Sequence, residues 1–486
     1  MPIHFGTDGW RAVMSDSFTF ANLRMVAQAI ADSTLADLRK SGNLDSVNGD
    51  KPAIVVGFDT RFMSDRFASD VARVLAANGL KVLLSQADCP TPAISFAVQD
   101  LGARAGVMIT ASHNPPRYNG IKLKSAQGAS ASPAQSKRVE VYLTDNEIQS
   151  RGPNLMEFSK AKERGLIEKF NPIPRYYDHL RTLIDFEAIA DSDMHVVVDA
   201  MFGSGRGVIA GILQGTGTEV HEIRHRLNPG FGGVHPEPIA KYLGALSAAI
   251  SSGEGLLGLA TDGDADRLGA MDEHAEFVDP HKIMALALKH LVEKRGMKGK
   301  VVRTVSTTRM LDRMAGKYGL EIEETPVGFN HIADHMMKGD VLIGGEESGG
   351  ISFKGHIPEG DGILMSLLLI EMLAVRQASL RDLVQEILDE FGPAHYKRSD
   401  LRLNRPVDKK QMTTRLANDA PASIGGESVV EVATTDGAKY ILADDSWLLI
   451  RPSGTEPMLR VYAEARSPEI MAALMEFGEE VAQGVS

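Results

Sequence analysis

Ser112 and His113 stand in the segment Thr110-Ala-Ser-His-Asn-Pro-Pro116, which closes the apolar run Ala105-Gly-Val-Met-Ile109. A short apolar run ending on small polar residues and proline predicts a buried strand that hands its last residues to a loop. Parallel α/β sheets present their chemistry beyond the carboxyl ends of such strands. Ser112 is therefore a candidate nucleophile, with His113 beside it as a cation or proton donor and Pro115-Pro116 as a stiff exit. The alternative is a Ser-His pair that only satisfies local hydrogen bonds. Three further stretches bear on that choice: Thr261-Asp-Gly-Asp-Ala-Asp-Arg267, Gly345-Glu-Glu-Ser-Gly-Gly350 and Arg451-Pro-Ser-Gly-Thr-Glu-Pro457.

Asp262, Asp264 and Asp266 alternate along an extended segment, so their carboxylates can converge on one hard cation; the other reading is a solvated acidic turn. Oxygen-only ligation suits Mg²⁺ or Ca²⁺, and Ser112, or a phosphate on it, as a further oxygen ligand favours Mg²⁺. Glu273 falls at the twelfth position of an EF-hand loop counted from Asp262, but Arg267 takes the sixth, where the sharp turn needs glycine. The preceding segment also reads as a strand rather than a helix. Arg451, Ser453, Gly454 and Thr455 offer a guanidinium, two hydroxyls and backbone N–H groups near a glycine, an inventory suited to a phosphate dianion. The same residues also fit an ordinary turn with a surface arginine. Glu346 and Ser348 can accept from and donate to vicinal hydroxyls, while Gly349-Gly350 suits a plain turn. Lys122 is a general acid/base candidate if a nearby cation lowers its pKa, and otherwise a solvated surface lysine.

The elements that would carry these loops recur in cycles. In the first, strands at Ala53–Val56 and Lys81–Leu84 alternate with helices marked by Leu23, Val26, Ala27 and Ile30, by Phe67, Val71, Val74 and Leu75, and by the stretch Ala93–Leu101. The second cycle has strands at His195–Val198, Glu219–Ile223 and Leu256–Ala260, with helices near 206–214 and 239–252. The third has strands at Lys300–Val305 and Val341–Ile343, with helices near 308–318 and 329–338. Each cycle finishes on a strand and then a polar loop: Ser112, the aspartates, Glu346. Residue identity between cycles is low, which implies repeated topology rather than a short-period solenoid. A polar, helix-rich stretch at 136–185 bridges the first two cycles. After Phe391-Gly-Pro393 the pattern becomes a mainly antiparallel sheet closed by a helix near 467–483. The expected domains are 1–152, 153–288, 289–394 and 395–486.

Together the four loops, in this order and at domain-scale spacing, resemble the α-D-phosphohexomutases over essentially the whole chain. The resemblance implies an α/β fold of three topologically similar α/β domains with mixed, largely parallel sheets, plus a smaller C-terminal α+β domain, around a central cleft. It implies that Ser112 carries the phosphoryl group and, with Asp262, Asp264 and Asp266, forms the Mg²⁺ site. Arg267 would stabilise the charge of the transferring group, and Lys122 would take the proton from the attacking hydroxyl. Arg11 and His113 would lie near the phosphoserine. Glu346 and Ser348 would read the sugar, and Arg451, Ser453, Gly454, Thr455 and Arg460 would hold the phosphate that is not reacting. Hexose 1,6-bisphosphate is the implied intermediate. One departure stands out: family members commonly carry a lysine where this chain has Asn330, next to His331, and asparagine loses a positive charge beside an anionic substrate.

The 486 residues exceed one core, and 43% hydrophobic, 24% charged and 6% aromatic residues describe a soluble globular chain. A net charge of −12 argues against non-specific nucleic-acid binding. Cys89 is the single cysteine, which excludes an intrachain disulfide framework and a thiolate zinc cluster. The start Met1-Pro-Ile-His-Phe-Gly6 lacks signal-peptide character and no run reaches membrane-spanning length, so a cytoplasmic monomer or small homo-oligomer with a phosphosugar substrate, no nucleic acid and no membrane is expected. The leading function is a phosphohexomutase acting on glucose phosphates and also mannose phosphates. The alternatives are a phosphoglucosamine mutase, a serine/metal phosphatase and a non-catalytic binding protein on the same fold.

Overall fold

The computed structural model describes residues 3–6, 8–40, 52–404, 407–452 and 458–485. It divides into two compact units: Met1–Ile283 with Ala333–Gly339 and Ser348–Leu380, and Met284–Ile332 with Asp340–Glu347 and Arg381–Ser486.

The first unit holds two mixed sheets. Among the described residues the first runs β1 (Trp10–Val13), β5 (Tyr118–Lys124), β4 (Ala105–Ile109), β2 (Ala53–Phe58), β3 (Lys81–Ser85), β6 (Ile167–Phe170). The β2, β3, β4 and β6 pairings are parallel, while β5 is antiparallel to both β4 and β1. Strands buried on both faces read as continuous apolar runs. Ile54, Val56, Val107 and Ile109 join the core formed with Leu23, Val26, Ile30, Val71, Val74 and Leu75 of the helices Phe20–Lys40 and Ser64–Ala77. The alternate residues Val55 and Met108 meet Ile94 and Val98 of the helix Thr91–Asp100 on the other face. Each such fully buried aliphatic side chain contributes roughly 1.5–3 kcal/mol.

The second sheet runs β11 (Phe277–Val278), β10 (Leu268–Met271), β9 (Leu257–Thr261), β7 (His195–Asp199), β8 (Glu219–Ile223). Here β7 is parallel to β8 and β9, and β10 is antiparallel to β9 and β11. The short strand β15 (Ile351–Phe353) and the helix Gly362–Arg376 complete the unit. That helix is buried from Gly362 to Leu373, as an all-round apolar sequence requires. Its N-terminus is capped by Asp361, whose Oδ1 accepts from the N–H groups of Ile363 and Leu364, both at 2.9 Å.

In the second unit, β12 (Lys300–Thr304) lies between β13 (Ile322–Thr325) and β14 (Val341–Gly345), all parallel. The C-terminal sheet runs β16 (His395–Arg402), β21 (Met458–Ala465), β20 (Trp447–Pro452), β19 (Ala438–Leu442), β18 (Glu427–Ala433), β17 (Ser423–Ile424) and is antiparallel. The helix Pro468–Val485 packs on it through Leu474 and Met475, against Leu459 and Val461.

The expected repetition of topology holds. In sequence order, each α/β sheet sets its third strand beside its first and its first beside its second: β4-β2-β3, β9-β7-β8 and β14-β12-β13. The strand ending on Ser112, on the aspartates or on Glu346 is the same one in each round. Local details differ from the expectation. The helix near 206–214 shortens to Val208–Ile212, starting after Gly207 at φ 73°. The one near 239–252 divides into a 3-10 turn at Ala240–Tyr242 and a helix at Gly244–Ser251. The bridge at 136–185 also contributes β6 to the first sheet. Among the described residues, no single helix is long and apolar enough to cross a membrane.

Candidate active site

β4 ends at Ile109, and three residues later Ser112 is wholly buried. Its backbone is left-handed, φ 50°, in a region that a non-glycine residue enters only when its surroundings enforce it. Two contacts do so here. Ser112 N–H donates to Thr110 Oγ1 at 2.9 Å, and the Ser112 carbonyl accepts from Arg61 Nη2 at 2.6 Å. The Arg61 guanidinium also donates to the carbonyls of Asn114, Pro115 and Tyr118, pairs with Asp59 at 3.2 Å and lies 4.9 Å from the Phe231 ring centroid. The hydroxyl of Ser112 donates to Asp262 Oδ2 at 2.8 Å, and His113 Nδ1 stands 3.3 Å from it.

β9 delivers the aspartates. At Gly263 a Cβ would come within 2.4 Å of the Ser112 carbonyl oxygen, so glycine alone lets the two loops meet. Asp262, Asp264 and Asp266 each offer a carboxylate oxygen within 4.8 Å of the others. Asp264 Oδ1 and Asp266 Oδ1 are buried with no hydrogen-bond partner, a costly arrangement that a cation relieves. This oxygen-only donor set, with Ser112 Oγ adjoining, fits Mg²⁺. Asp264 is steadied from the first sheet, where Thr91 Oγ1 donates to its Oδ2 at 2.6 Å and Thr91 N–H to its carbonyl at 2.9 Å. Burial, reinforced by the Asp266 and Asp264 carboxylates, pushes Asp262 well above the usual carboxylate range. Burial acts the same way on Asp264, but the Lys122 ammonium and the Thr91 hydroxyl outweigh it and hold Asp264 low.

Lys122 and Lys124 lie on β5, whose alternation of lysine with Ile121 and Leu123 suggests an ordinary half-exposed strand. Both lysines are buried instead. Lys122 Nζ meets Asp8 Oδ2 at 2.8 Å, Asp264 Oδ2 at 2.9 Å and Asp266 Oδ2 at 2.6 Å. The expected lowering of its pKa is therefore reversed: burial lowers it, but Asp264, Asp266 and Asp8 together raise it well above the ordinary lysine value. The surface-lysine alternative falls as well. Arg11 donates to Asp8 Oδ2 and to Asn114 Oδ1, both at 3.0 Å, which ties the N-terminal turn to the Ser112 loop. Beyond them Lys124 pairs with Glu359, and Ser130 Oγ lies 3.2 Å from both Glu359 Oε2 and Asp8 Oδ1. Arg267 Nε stands 3.9 Å from Asp266 Oδ1. Ser348 belongs to this unit and its buried hydroxyl has no partner; the next residue, Gly349, accepts from Leu268 N–H at 3.1 Å, one residue beyond Arg267. Glu273 does not join the metal cluster.

The second unit holds the other candidates. Glu346 Oε1 accepts from Gly328 N–H at 2.9 Å, and Asn330 Oδ1 is buried in the same loop without a partner. On the C-terminal sheet Arg451 pairs with Asp436 at 2.8 Å, and Arg460, its cross-strand neighbour, stands 3.9 Å from Asp400. Ser453, Gly454 and Thr455 lie outside the described residues.

Four family models match in order: phosphoglucomutase/phosphomannomutase alpha/beta/alpha domain I at residues 2–149, domain II at 174–275, domain III at 279–391 and the C-terminal domain at 403–480. The chain belongs to the phosphoglucomutase/phosphomannomutase family. A phosphoglucomutase/phosphomannomutase of Thermococcus kodakarensis is 30% identical over 478 residues, 98% of this chain and 97% of the relative. A phosphoglucosamine mutase of Carboxydothermus hydrogenoformans is 32% identical over 473 residues, 96% of each. The crystal structure of a provisionally assigned phosphomannomutase from Thermus thermophilus superposes with a TM-score of 0.84 at 34% identity, covering 100% of both chains. As a phosphohexomutase the chain is an intramolecular phosphotransferase of a Mg²⁺-using family, and its aspartate triad is able to hold that metal.

Within this phosphohexomutase, sequence reading passes over Arg61, Thr91 and Asp8. Asp59-Thr-Arg61 is legible as the end of a strand, but nothing local signals that one guanidinium collects four loop carbonyls. Burial pushes Asp59 up to about 6 even beside Arg61, so the pair depends on both partners. Arg61→Met strands Asp59 and four carbonyls and should cost about 3–5 kcal/mol of unfolding free energy. Urea denaturation checks this, and a loss under about 1 kcal/mol would remove Arg61 as the anchor of the loop.

Proposed function

We propose that the chain interconverts hexose 1-phosphates and hexose 6-phosphates through a phosphoseryl enzyme, with glucose 1-phosphate the preferred substrate and mannose 1-phosphate also used. The observation that carries the reading is the Ser112 hydroxyl, held 2.8 Å from Asp262 at the edge of a buried carboxylate triad. In the first half-reaction the phosphoryl group on Ser112 Oγ passes to the free hydroxyl of a hexose monophosphate. The bond from phosphorus to the seryl oxygen breaks as the bond to the sugar oxygen forms, and the proton of the attacking hydroxyl ends on Ser112 Oγ, which leaves as the seryl hydroxyl. The resulting hexose 1,6-bisphosphate turns end for end and returns its other phosphoryl group to Ser112. Bound at the triad, Mg²⁺ supplies positive charge against the transferring oxygens.

The chain's own groups do the rest. Lys122, kept an ammonium by Asp8, Asp264 and Asp266, relays the proton: it gives one to the oxygen that leaves and takes the one from the attacking hydroxyl in the same transfer. Arg267, Arg11 and His113 balance phosphoryl charge. Glu346 and Ser348 read sugar hydroxyls, while Arg451, Arg460, Ser453, Gly454 and Thr455 hold the phosphate at rest. Arg451→Ala should raise KM through loss of a charge-assisted contact of roughly 1.5–3 kcal/mol, about 10- to 150-fold, with little change in labelling of Ser112 by a small phosphoryl donor. Steady-state kinetics beside a labelling assay measures both, and unchanged KM would end the clamp assignment.

A second reading, glucosamine 1-phosphate, is favoured by Asn330, which brings no positive charge to the sugar loop, and by relatives named phosphoglucosamine mutase. A coupled assay across glucose, mannose and glucosamine 1-phosphates decides. The expected order is glucose, then mannose, then glucosamine by kcat/KM, and a clear lead for glucosamine 1-phosphate overturns it. Release of inorganic phosphate without an isomeric product would instead mark a phosphatase.

A further inference from the structure

β16 carries an arginine that neither the motifs nor the roles above account for. Arg398 stands opposite Tyr462 in the antiparallel register, and Asp400, two residues on, stands opposite Arg460, which in turn faces Arg451. Residues two apart share a face of a strand, so Arg398, Arg460, Arg451, Asp400 and Tyr462 form one patch. The Arg398 guanidinium is held on three sides. Its Nε and Nη2 donate to the two oxygens of Asp400, each at 2.9 Å; its carbon lies 5.4 Å from the Tyr462 ring centroid; and its Nη1 stands 3.9 Å from Glu347 Oε1. Ser306 Oγ donates to the other oxygen of Glu347 at 2.8 Å. Glu347 is therefore anchored from both sides, its side chain only 7% exposed.

Glu347 is the middle residue of the Glu346-Glu347-Ser348 loop, and two adjacent carboxylates in a loop that must accept an anionic sugar phosphate are an electrostatic liability. Asn330 brings no charge to offset them. Across the strands, Arg398, Arg451 and Arg460 match Asp400, Asp436 and Glu347 in number, so Arg398 is the cation that offsets Glu347. Resting on the phosphosugar reading above, we propose that Arg398 is a specificity-determining residue. It fixes and neutralises Glu347, so that the loop accepts a neutral 2-hydroxyl and disfavours the 2-ammonium of an aminosugar phosphate. A carboxylate already matched by a guanidinium offers little attraction to a cation on the ligand, whereas an unmatched one would favour it.

The test compares glucose 6-phosphate with glucosamine 6-phosphate, by calorimetric binding and by kcat/KM, in wild type, Arg398→Gln, Arg398→Lys and Asp400→Asn. Arg398→Gln should move the preference towards the aminosugar by about five- to tenfold, while Arg398→Lys, which keeps the charge but loses the bidentate and stacked contacts, should fall between wild type and Arg398→Gln. Asp400→Asn removes the carboxylate that shares Arg398 and should strengthen the preference for the neutral sugar. As pH rises and the sugar amine loses its proton, the discrimination in wild type should shrink, and the aminosugar advantage gained in Arg398→Gln should disappear, so the two proteins converge. Equal losses for both sugars, or a shift of the same sign in Arg398→Gln and Asp400→Asn, would overturn the proposal. The binding arm keeps the two readings separate: absence of isomerisation by wild type sinks the mutase reading, whereas an unchanged binding ratio sinks the role of Arg398.

Discussion

Ser112→Ala should lose turnover by at least about 10⁴-fold while the protein remains folded. Ser112 Oγ is the hydroxyl held against the carboxylate triad, and an alanine there leaves the metal ligands, Lys122 and the Arg61 clamp in their positions. The lost side-chain contacts are the hydrogen bond to Asp262 and the 3.3 Å contact with His113 Nδ1, together a matter of about 1–2 kcal/mol, so the unfolding transition should shift by only a few degrees. After incubation with a hexose 1,6-bisphosphate, peptide mass spectrometry should find the phosphoryl group on Ser112 in wild type and nowhere in Ser112→Ala. A phosphate found reproducibly on another residue, or an active Ser112→Ala, would end the phosphoserine assignment.

Chelation should be nearly as severe. Three buried carboxylates facing one another, with Asp262 forced upward by burial and its neighbours and two oxygens unpartnered, would repel a phosphoryl group unless a cation joined them. EDTA should reduce kcat by at least about 10²-fold, and Mg²⁺ should restore it. Asp264→Asn should raise the Mg²⁺ concentration for half-maximal activity by more than about tenfold. Thr91→Val, which removes only the hydroxyl donating to Asp264, should raise it by about 10- to 100-fold, because outer partners orient metal ligands. Full activity in rigorously metal-free buffer would contradict the site.

Much of this protein is legible in order along the chain. Apolar runs such as Ala105–Ile109 and Val341–Gly345 name the strands because a strand buried on both faces has no polar alternation, and each polar loop after such a run names a candidate site. Local chemistry supports the rest: three aspartates two residues apart can converge on an extended chain, and the change of pattern after Pro393 announces the antiparallel sheet. What local pattern misreads is β5. Ile121–Lys124 alternates apolar residues with lysine as a half-exposed strand does, yet Lys122 and Lys124 are buried along with Ile121, because Asp8, Asp264, Asp266 and Glu359 reach them from distant parts of the chain.

Sequence alone determined the repeated strand–helix order, the four loops and the residue types that suit phosphoryl transfer, since periodicity and loop chemistry are properties of neighbours along the chain. Tertiary structure decided the charge states and partnerships. The ammonium of Lys122 is raised rather than lowered, Asp262 is raised while Asp264 is held low, four carbonyls converge on Arg61, and Arg398 lies against Glu347. Burial and Coulomb terms depend on distances through space, and residues 122 and 264, or 347 and 398, are far apart in the chain and a few ångströms apart in the fold.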